Sequence, residues 1–351
     1  MAPSKKTPGE EALVRPVGLG SIHLPANLVL APMHRHTHRI FRLLCRRSGA
    51  ALAHTEMLTP EEVLDATGRK TVNVLASSPE DRPLGVQLLP REPEPLAEAI
   101  ARLSALGTVD LVDLNFACPS RRVVATDRGG AMLRRPDPAV RLVETAVHAS
   151  PLPVTAKFRL GWSDCDEDRD LALDIACRAA EAGAVAVTLH ARSVVQGYRG
   201  RADWPTIARW ADRLPVPVFG SGDLRSPESV LAMLRQTGCA GASLARGALG
   251  APWIFRQTID LAALGACDPV TTEERRETLL AHFAGLAEQY GEAAAFSLMR
   301  QEGQYYARGK KGARALRVAI QAGRDAADFY DAVARHLADE PPPIDAPHGN
   351  L

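Results

Sequence analysis

Residues 111–122 read LVDLNFACPSRR, an apolar run that stops at Asn115 and is followed at once by Cys118-Pro119. From Val109 to Leu114 the residues suit a buried strand, so Cys118 falls just beyond a strand end. A cysteine placed there is either a small packed hydrophobe or a reagent. The rest of the chain has to decide.

Seven further runs share this form: LVLAPM (28–33), ALAHTEM (51–57), LGVQLL (84–89), PVTAKFR (153–159), VAVTLHAR (185–192), PVFGSGD (217–223) and GASLARG (241–247). Each ends in polar or glycine residues. Stretches of helical spacing lie between them, such as PEPLAEAIARLSAL (93–106) and DPAVRLVETAVHA (137–149). Alternation of strand and helix implies a parallel sheet with crossovers. Eight such units predict an α/β fold, a closed (β/α)8 TIM barrel over residues 21–265, ahead of an open sheet with fewer strands. From 270 to 338 only helical periodicity is left, which predicts a C-terminal all-helical domain. Residues 1–20 read as a flexible N-terminal segment, and the proline-rich 339–351 as a disordered tail.

The 351 residues carry a formal net charge of +1, so a nucleic-acid partner would need a local basic patch. The six cysteines are scattered with no C-x-x-C pair, which fits neither a zinc site nor a disulfide framework and suggests a reducing cytoplasm. The first residues lack the apolar core of a secretory signal, and no run is long enough to span a membrane. The acidic stretch Asp164–Asp168 reads as a solvated loop, and no metal is expected. Nothing demands an obligate protein partner, and a monomer is the expectation.

Barrel enzymes place chemistry at the C-terminal ends of their strands. Those ends carry Pro32-Met33, Thr55-Glu56-Met57, Gln87, Asn115 with Cys118, Lys157 with Arg159, His190 with Arg192, Ser221-Gly222-Asp223 and Arg246-Gly247. Gln and Asn suit the amide-like edge of a planar ligand, Lys a developing anion, and the glycine-rich last two loops a phosphate. Each residue alone is an ordinary structural one; the set is specific.

Nine stretches carry a resemblance to a known family: TEM (55–57), VQLLP (86–90), DLNFACP (113–119), RGGAML (128–133), VTAKFRLGW (154–162), LHARSVVQGYRGRADW (189–204), GSGDLRSPES (220–229), ARGALGAPWIF (245–255) and YYARGKKGARALR (305–317). The chain resembles the dihydrouridine synthases, flavoenzymes that reduce uridine in tRNA. The resemblance implies FMN at the barrel mouth, with NADPH (or NADH) as reductant. Pro32, Met33 and His34 would line the flavin. Gln87, Asn115, Lys157 and His190 would meet its polar edge, and Ser221, Gly222, Asp223, Ala245 and Arg246 its phosphate. Cys118 would be the general acid, giving a proton to C5 of uracil after hydride reaches C6, with Pro119 fixing the turn that aims it. The substrate base would be swung out of folded tRNA, with ribosomal RNA left open as a partner. Arg192, Arg121, Arg122, Arg308, Lys310, Lys311, Arg314 and Arg317 would meet the RNA, with Tyr305 and Tyr306 interleaved and only Glu302 opposing. The alternatives are a dehydrogenase of a free pyrimidine, similar to dihydroorotate dehydrogenase, and an RNA-binding protein weakened in catalysis.

The chain departs from the family's usual motifs in places. Its first loop is Ala31-Pro32-Met33-His34-Arg35-His36-Thr37-His38, where APMAGVTD is common, so Arg35 replaces a glycine and the turn cannot adopt a glycine conformation there without strain. Ala245 stands where a glycine is usual and predicts weaker retention of FMN, so Ala245→Gly is expected to purify with more flavin.

Overall fold

The structure is a computed structural model that describes residues 12–65, 68–309 and 312–338. The described residues contain ten strands: β1 (Val17–Leu19), β2 (Ile22–Leu24), β3 (Leu28–Leu30), β4 (Leu52–His54), β5 (Leu84–Leu88), β6 (Leu111–Phe116), β7 (Val154–Arg159), β8 (Ala186–His190), β9 (Val218–Ser221) and β10 (Gly241–Leu244). The last eight close a barrel in the order β10-β3-β4-β5-β6-β7-β8-β9, every pair parallel. All eight apolar runs of the sequence are therefore barrel strands. Their residues are almost all buried, as strands covered by helices outside and side chains inside must be. Helices such as Pro93–Ala105 and Pro136–Ala149 bury Leu96, Ile100 and Leu103, and Val140, Leu142 and Val143, at helical spacing.

The expectation of a flexible segment through residue 20 is corrected. β1 and β2 form an antiparallel hairpin around Gly20, whose φ of +60° a glycine takes without strain. Leu19 and Leu24 join a buried cluster with Val29, Leu52, Leu111, Ala186 and Phe219 at the starts of the strands. The hairpin thus plugs the N-terminal end of the barrel, and burial of its leucines holds it there. Residues 1–11 and the tail 339–351 lie outside the described residues.

The chain divides into two compact units, one of residues 1–248 with 252–267, the other of 249–251 with 268–351. The second contains helices Thr272–Tyr290, Glu292–Glu302, Ala313–Ala322 and Ala326–His336. Thr271 caps the first through Glu274 N, and Asp325 caps the last through Asp328 N. Leu279, Phe283, Leu286, Met299, Ile320, Phe329 and Val333 form the core, with Phe283 and Phe329 stacked at 4.6 Å between centroids.

Candidate active site

Strand register sets the site. Gln87 pairs with Asp113, Asn115 with Lys157, Arg159 with His190, and His190 with Ser221. These side chains therefore form a ladder around the C-terminal ends of β5 to β9.

A directed chain of hydrogen bonds runs along it. Thr155 Oγ1 donates to Asp113 Oδ1 at 2.8 Å, and Gln87 Nε2 donates to Asp113 Oδ2 at 2.7 Å. Asn115 Nδ2 donates to Gln87 Oε1 at 2.8 Å. Asn115 Oδ1 then accepts from the backbone N–H of both Ala117 and Cys118, each at 2.9 Å. Because a carboxylate accepts only, Asp113 fixes which way both amides face. Asn115 thus holds the Cys118 loop, a task the sequence assigned to Pro119. Asp113 lay unrecognised inside the DLNFACP stretch, since a buried strand carboxylate has no local signature.

The Cys118 loop is closed from two other sides. Gly130 N donates to Cys118 O at 3.0 Å, and a Cβ at Gly129 would lie 3.0 Å from Cys118 Cβ. Arg159, 1% exposed, donates from Nε to Ala117 O at 2.7 Å and from Nη1 to Ser193 O and Gly197 O at 2.9 and 2.6 Å. Its alternation with Lys157 in the KFR stretch was the available signal for a second cation at the site. Burial pushes the half-buried Cys118 thiol up from its ordinary value, and a backbone bond from Ser120 with the charges of Arg159 and Lys157 offset part of that.

The half-buried Lys157 has its pKa lowered to about 8, first by desolvation and then by Arg159. Its ammonium makes no hydrogen bond to another described residue. His190 is held well below its usual value by burial and by the positive charges of Arg159, Lys157, Arg192 and Arg246, so it is neutral at pH 7. Above it the exposed Tyr198 ring lies 5.2 Å from Arg159 Cζ and 4.6 Å from Arg246 Cζ.

The two glycine-rich loops present backbone donors. The N–H groups of Gly222, Asp223 and Ala245 donate to no other described residue. Gly222 has φ +118°, and Asp223 a left-handed φ of +59°. Successive N–H groups in such a turn form a concave anion site. The Ser221 hydroxyl is turned away and donates to Ser243 O at 2.8 Å. The Asp223 carboxylate likewise faces Arg192 Nη2, at 2.8 and 2.7 Å, and accepts from Ala202 N at 2.8 Å. The expectation that Arg192 meets RNA is corrected. Arg192 is 1% exposed, it also bonds Arg199 O and Gly200 O at 3.0 and 2.6 Å, and its Nη1 lies 3.4 Å from His190 Nε2. A guanidinium sunk in this way positions Asp223 and its turn rather than a solvent-side partner.

In the first loop, Pro32 and Met33 are half-buried, while His34 is exposed and lies 3.3 Å from Glu56 Oε2.

The sequence model of the dihydrouridine synthase (Dus) family matches residues 29–340. The chain belongs to that family. It is 33% identical over 336 residues to tRNA-dihydrouridine synthase B of Xanthomonas campestris, covering 93% of this chain and 99% of the relative. It is 36% identical over 302 residues to the tRNA-dihydrouridine synthase B of Pseudomonas aeruginosa, covering 86% and 90%. Among solved structures, morphinone reductase in complex with tetrahydroNAD superposes with a TM-score of 0.53 at 15% identity, over 74% of this chain and 93% of that one. That likeness shows the barrel fold.

The remaining residues that the dihydrouridine synthase resemblance assigned to RNA fall on two surfaces. Arg121 and Arg122 are exposed just beyond the Cys118 loop. Arg308, Arg314 and Arg317 are exposed in the helical unit, and Arg308 Cζ lies 4.4 Å from the Tyr305 ring centroid. Lys310 and Lys311 lie outside the described residues. Two expectations there are corrected. Tyr306 is fully buried and its hydroxyl lies 3.1 Å from His282 Nδ1, so it offers no stacking face. Glu302 is 4% exposed, with Oε2 3.4 Å from His282 Nε2, so it is buried rather than on the arginine-bearing surface.

Among the described residues, no helix is long and apolar enough to cross a membrane.

Proposed function

We propose that this chain reduces uridine in tRNA to 5,6-dihydrouridine, holding FMN at the barrel mouth, with NADPH or NADH as reductant and Cys118 as proton donor. The observation that carries it is the convergence, on one barrel rim, of a half-buried thiol, an ammonium without a hydrogen-bond partner among the described residues, and three unclaimed backbone N–H groups. Those donors fit an anionic, planar cofactor with a phosphate tail. Lys157, Gln87, Asn115 and neutral His190 would hold the ring, beside Pro32, Met33 and His34. The N–H groups of Gly222, Asp223 and Ala245, with Arg246 beside them, would hold the phosphate, while the Ser221 hydroxyl stays on Ser243 O.

Bound and reduced, FMN would supply the hydride that adds to C6 of the uracil ring. Hydride at C6 leaves negative charge at C5 and O4, and C5 needs a proton. Burial keeps the Cys118 thiol protonated at neutral pH, so it has that proton to give. Lys157 and Arg159 favour the thiolate left behind. Asn115, through its two backbone contacts, keeps Sγ on a fixed loop during the transfer. A base inside folded RNA reaches this rim only when swung out of its stack. Arg121 and Arg122 beside the loop, and Arg308, Arg314 and Arg317 in the helical unit, would meet the phosphates.

The test uses tRNA lacking dihydrouridine, the purified flavoprotein and NADPH, with dihydrouridine read by mass spectrometry. Product is expected from the parent protein, and a rate lower by about 10²–10⁴-fold from Cys118→Ala. An undiminished rate in Cys118→Ala would remove the proton-donor role, and absence of product from the parent would remove the function.

A further inference from the structure

We propose that Arg35 contacts a phosphate of the RNA substrate at the barrel rim, and that its backbone strain is retained for that contact. This rests on RNA being the substrate of the site above.

Residues 31–38 follow β3 at the C-terminal end of the barrel. The loop is closed on itself. Met33 N donates to Thr37 Oγ1, and His36 N and Thr37 N both donate to Met33 O, all at 3.1 Å. Thr37 is fully buried, and His38 caps the helix Arg39–Arg47 by accepting from Phe41 N at 3.3 Å. The loop geometry is therefore fixed from below.

Within it Arg35 has φ +66°. Three non-glycine residues among those described have positive φ, and the other two are Asp127 and Asp223. Aspartate tolerates this region because its short side chain bonds locally; arginine has no such relief. The backbone contact at Arg35, an N–H donated to Glu56 Oε2 at 2.5 Å, needs no particular side chain. Glycine would make the same bond without strain.

What arginine adds is its guanidinium. That group is exposed and has no hydrogen bond or ion pair with another described residue. A strained residue whose side chain bonds no other described residue points to a partner outside the protein. A guanidinium takes phosphate oxygens two at a time, and the rim is where an RNA backbone must pass for a flipped base to enter. The phosphates of NADPH are the other anions that reach this mouth, so the two are measured separately.

The experiment compares holoprotein, Arg35→Gly and Arg35→Lys. It reads thermal midpoint, direct tRNA binding against salt, and KM for NADPH. Arg35→Gly is expected to raise the midpoint by roughly 2–4 °C. It is expected to weaken tRNA binding about tenfold and to lower the slope of log Kd against log salt by about one. Arg35→Lys keeps the charge but loses the two-pronged donor, so its tRNA binding should fall between that of the parent and that of Arg35→Gly. KM for NADPH should not move. Unchanged tRNA binding in Arg35→Gly, a Lys variant as weak as the Gly variant, or a rise in KM for NADPH alone would each overturn the proposal. A parent protein that binds tRNA, loses that binding in Arg35→Gly, and forms no dihydrouridine would overturn the reaction and support the contact.

Discussion

Asn115→Ala tests the hydrogen-bond chain most directly. The substitution removes the acceptor shared by Ala117 N and Cys118 N and the donor to Gln87 Oε1. Asn115 is 5% exposed, so three polar groups lose a buried partner. Each such loss costs about 1–3 kcal/mol, and water reaching the half-open Cys118 side recovers part, which leaves about 3 kcal/mol of lost stability. The catalytic effect is separate. With its two N–H anchors gone, Cys118 no longer presents its thiol at a fixed place, and the rate of product formation should fall by about 10²-fold or more. Asn115→Asp keeps both acceptor contacts but sets an oxygen against Gln87 Oε1, so it should fall between parent and Ala. Urea unfolding with bound flavin monitored gives the first quantity, and single-turnover dihydrouridine formation the second. A stability loss under about 0.5 kcal/mol with an unchanged rate would refute the claim that Asn115 aims the loop.

Two further outcomes follow from charge. The free-protein pKa of Lys157 is about 8, below the ordinary lysine value, so the cation that would hold an anionic cofactor disappears as pH rises through that value. FMN binding should therefore weaken above it, by up to roughly tenfold per pH unit. Lys157→Met should bind weakly at neutral pH and show no such dependence; titration of apoprotein with FMN across this range checks both, and a flat profile in the parent would count against the assignment. Arg192→Met leaves the Asp223 carboxylate without its buried partner and should cost about 3 kcal/mol in urea unfolding. Arg192→Met/Asp223→Ala should recover part of that loss, and equal losses in the single and double variants would show that Asp223 is not what Arg192 holds.

The sequence by itself determined the barrel. Its eight strands are apolar runs buried on both faces, with helical spacing between them, and that pattern is local. The helical unit was legible for the same reason, and barrel logic pointed to the strand ends, where Cys118 and Lys157 lie. The resemblance then supplied roles for them. Tertiary structure decided what depends on partners far apart in the chain. Arg192 reads as a surface cation until Asp223, 31 positions on, is seen to take its buried guanidinium in a partly buried pair. Tyr306 reads as a stacking face until His282 is seen against its hydroxyl. Asp113 has no evident role inside its strand until Gln87 and Thr155 are found on its two oxygens. The hairpin at 17–24 was missed because each strand is three residues long, too short for a period, and its leucines are fixed only by the barrel floor they cover. Arg35 shows both levels at once. The sequence marked it as a residue in the wrong place for a tight turn, and the fold placed it there in a left-handed conformation, with its side chain exposed. Local pattern sets which segments become strands and helices; long-range burial and hydrogen-bond satisfaction set which charges remain available for chemistry.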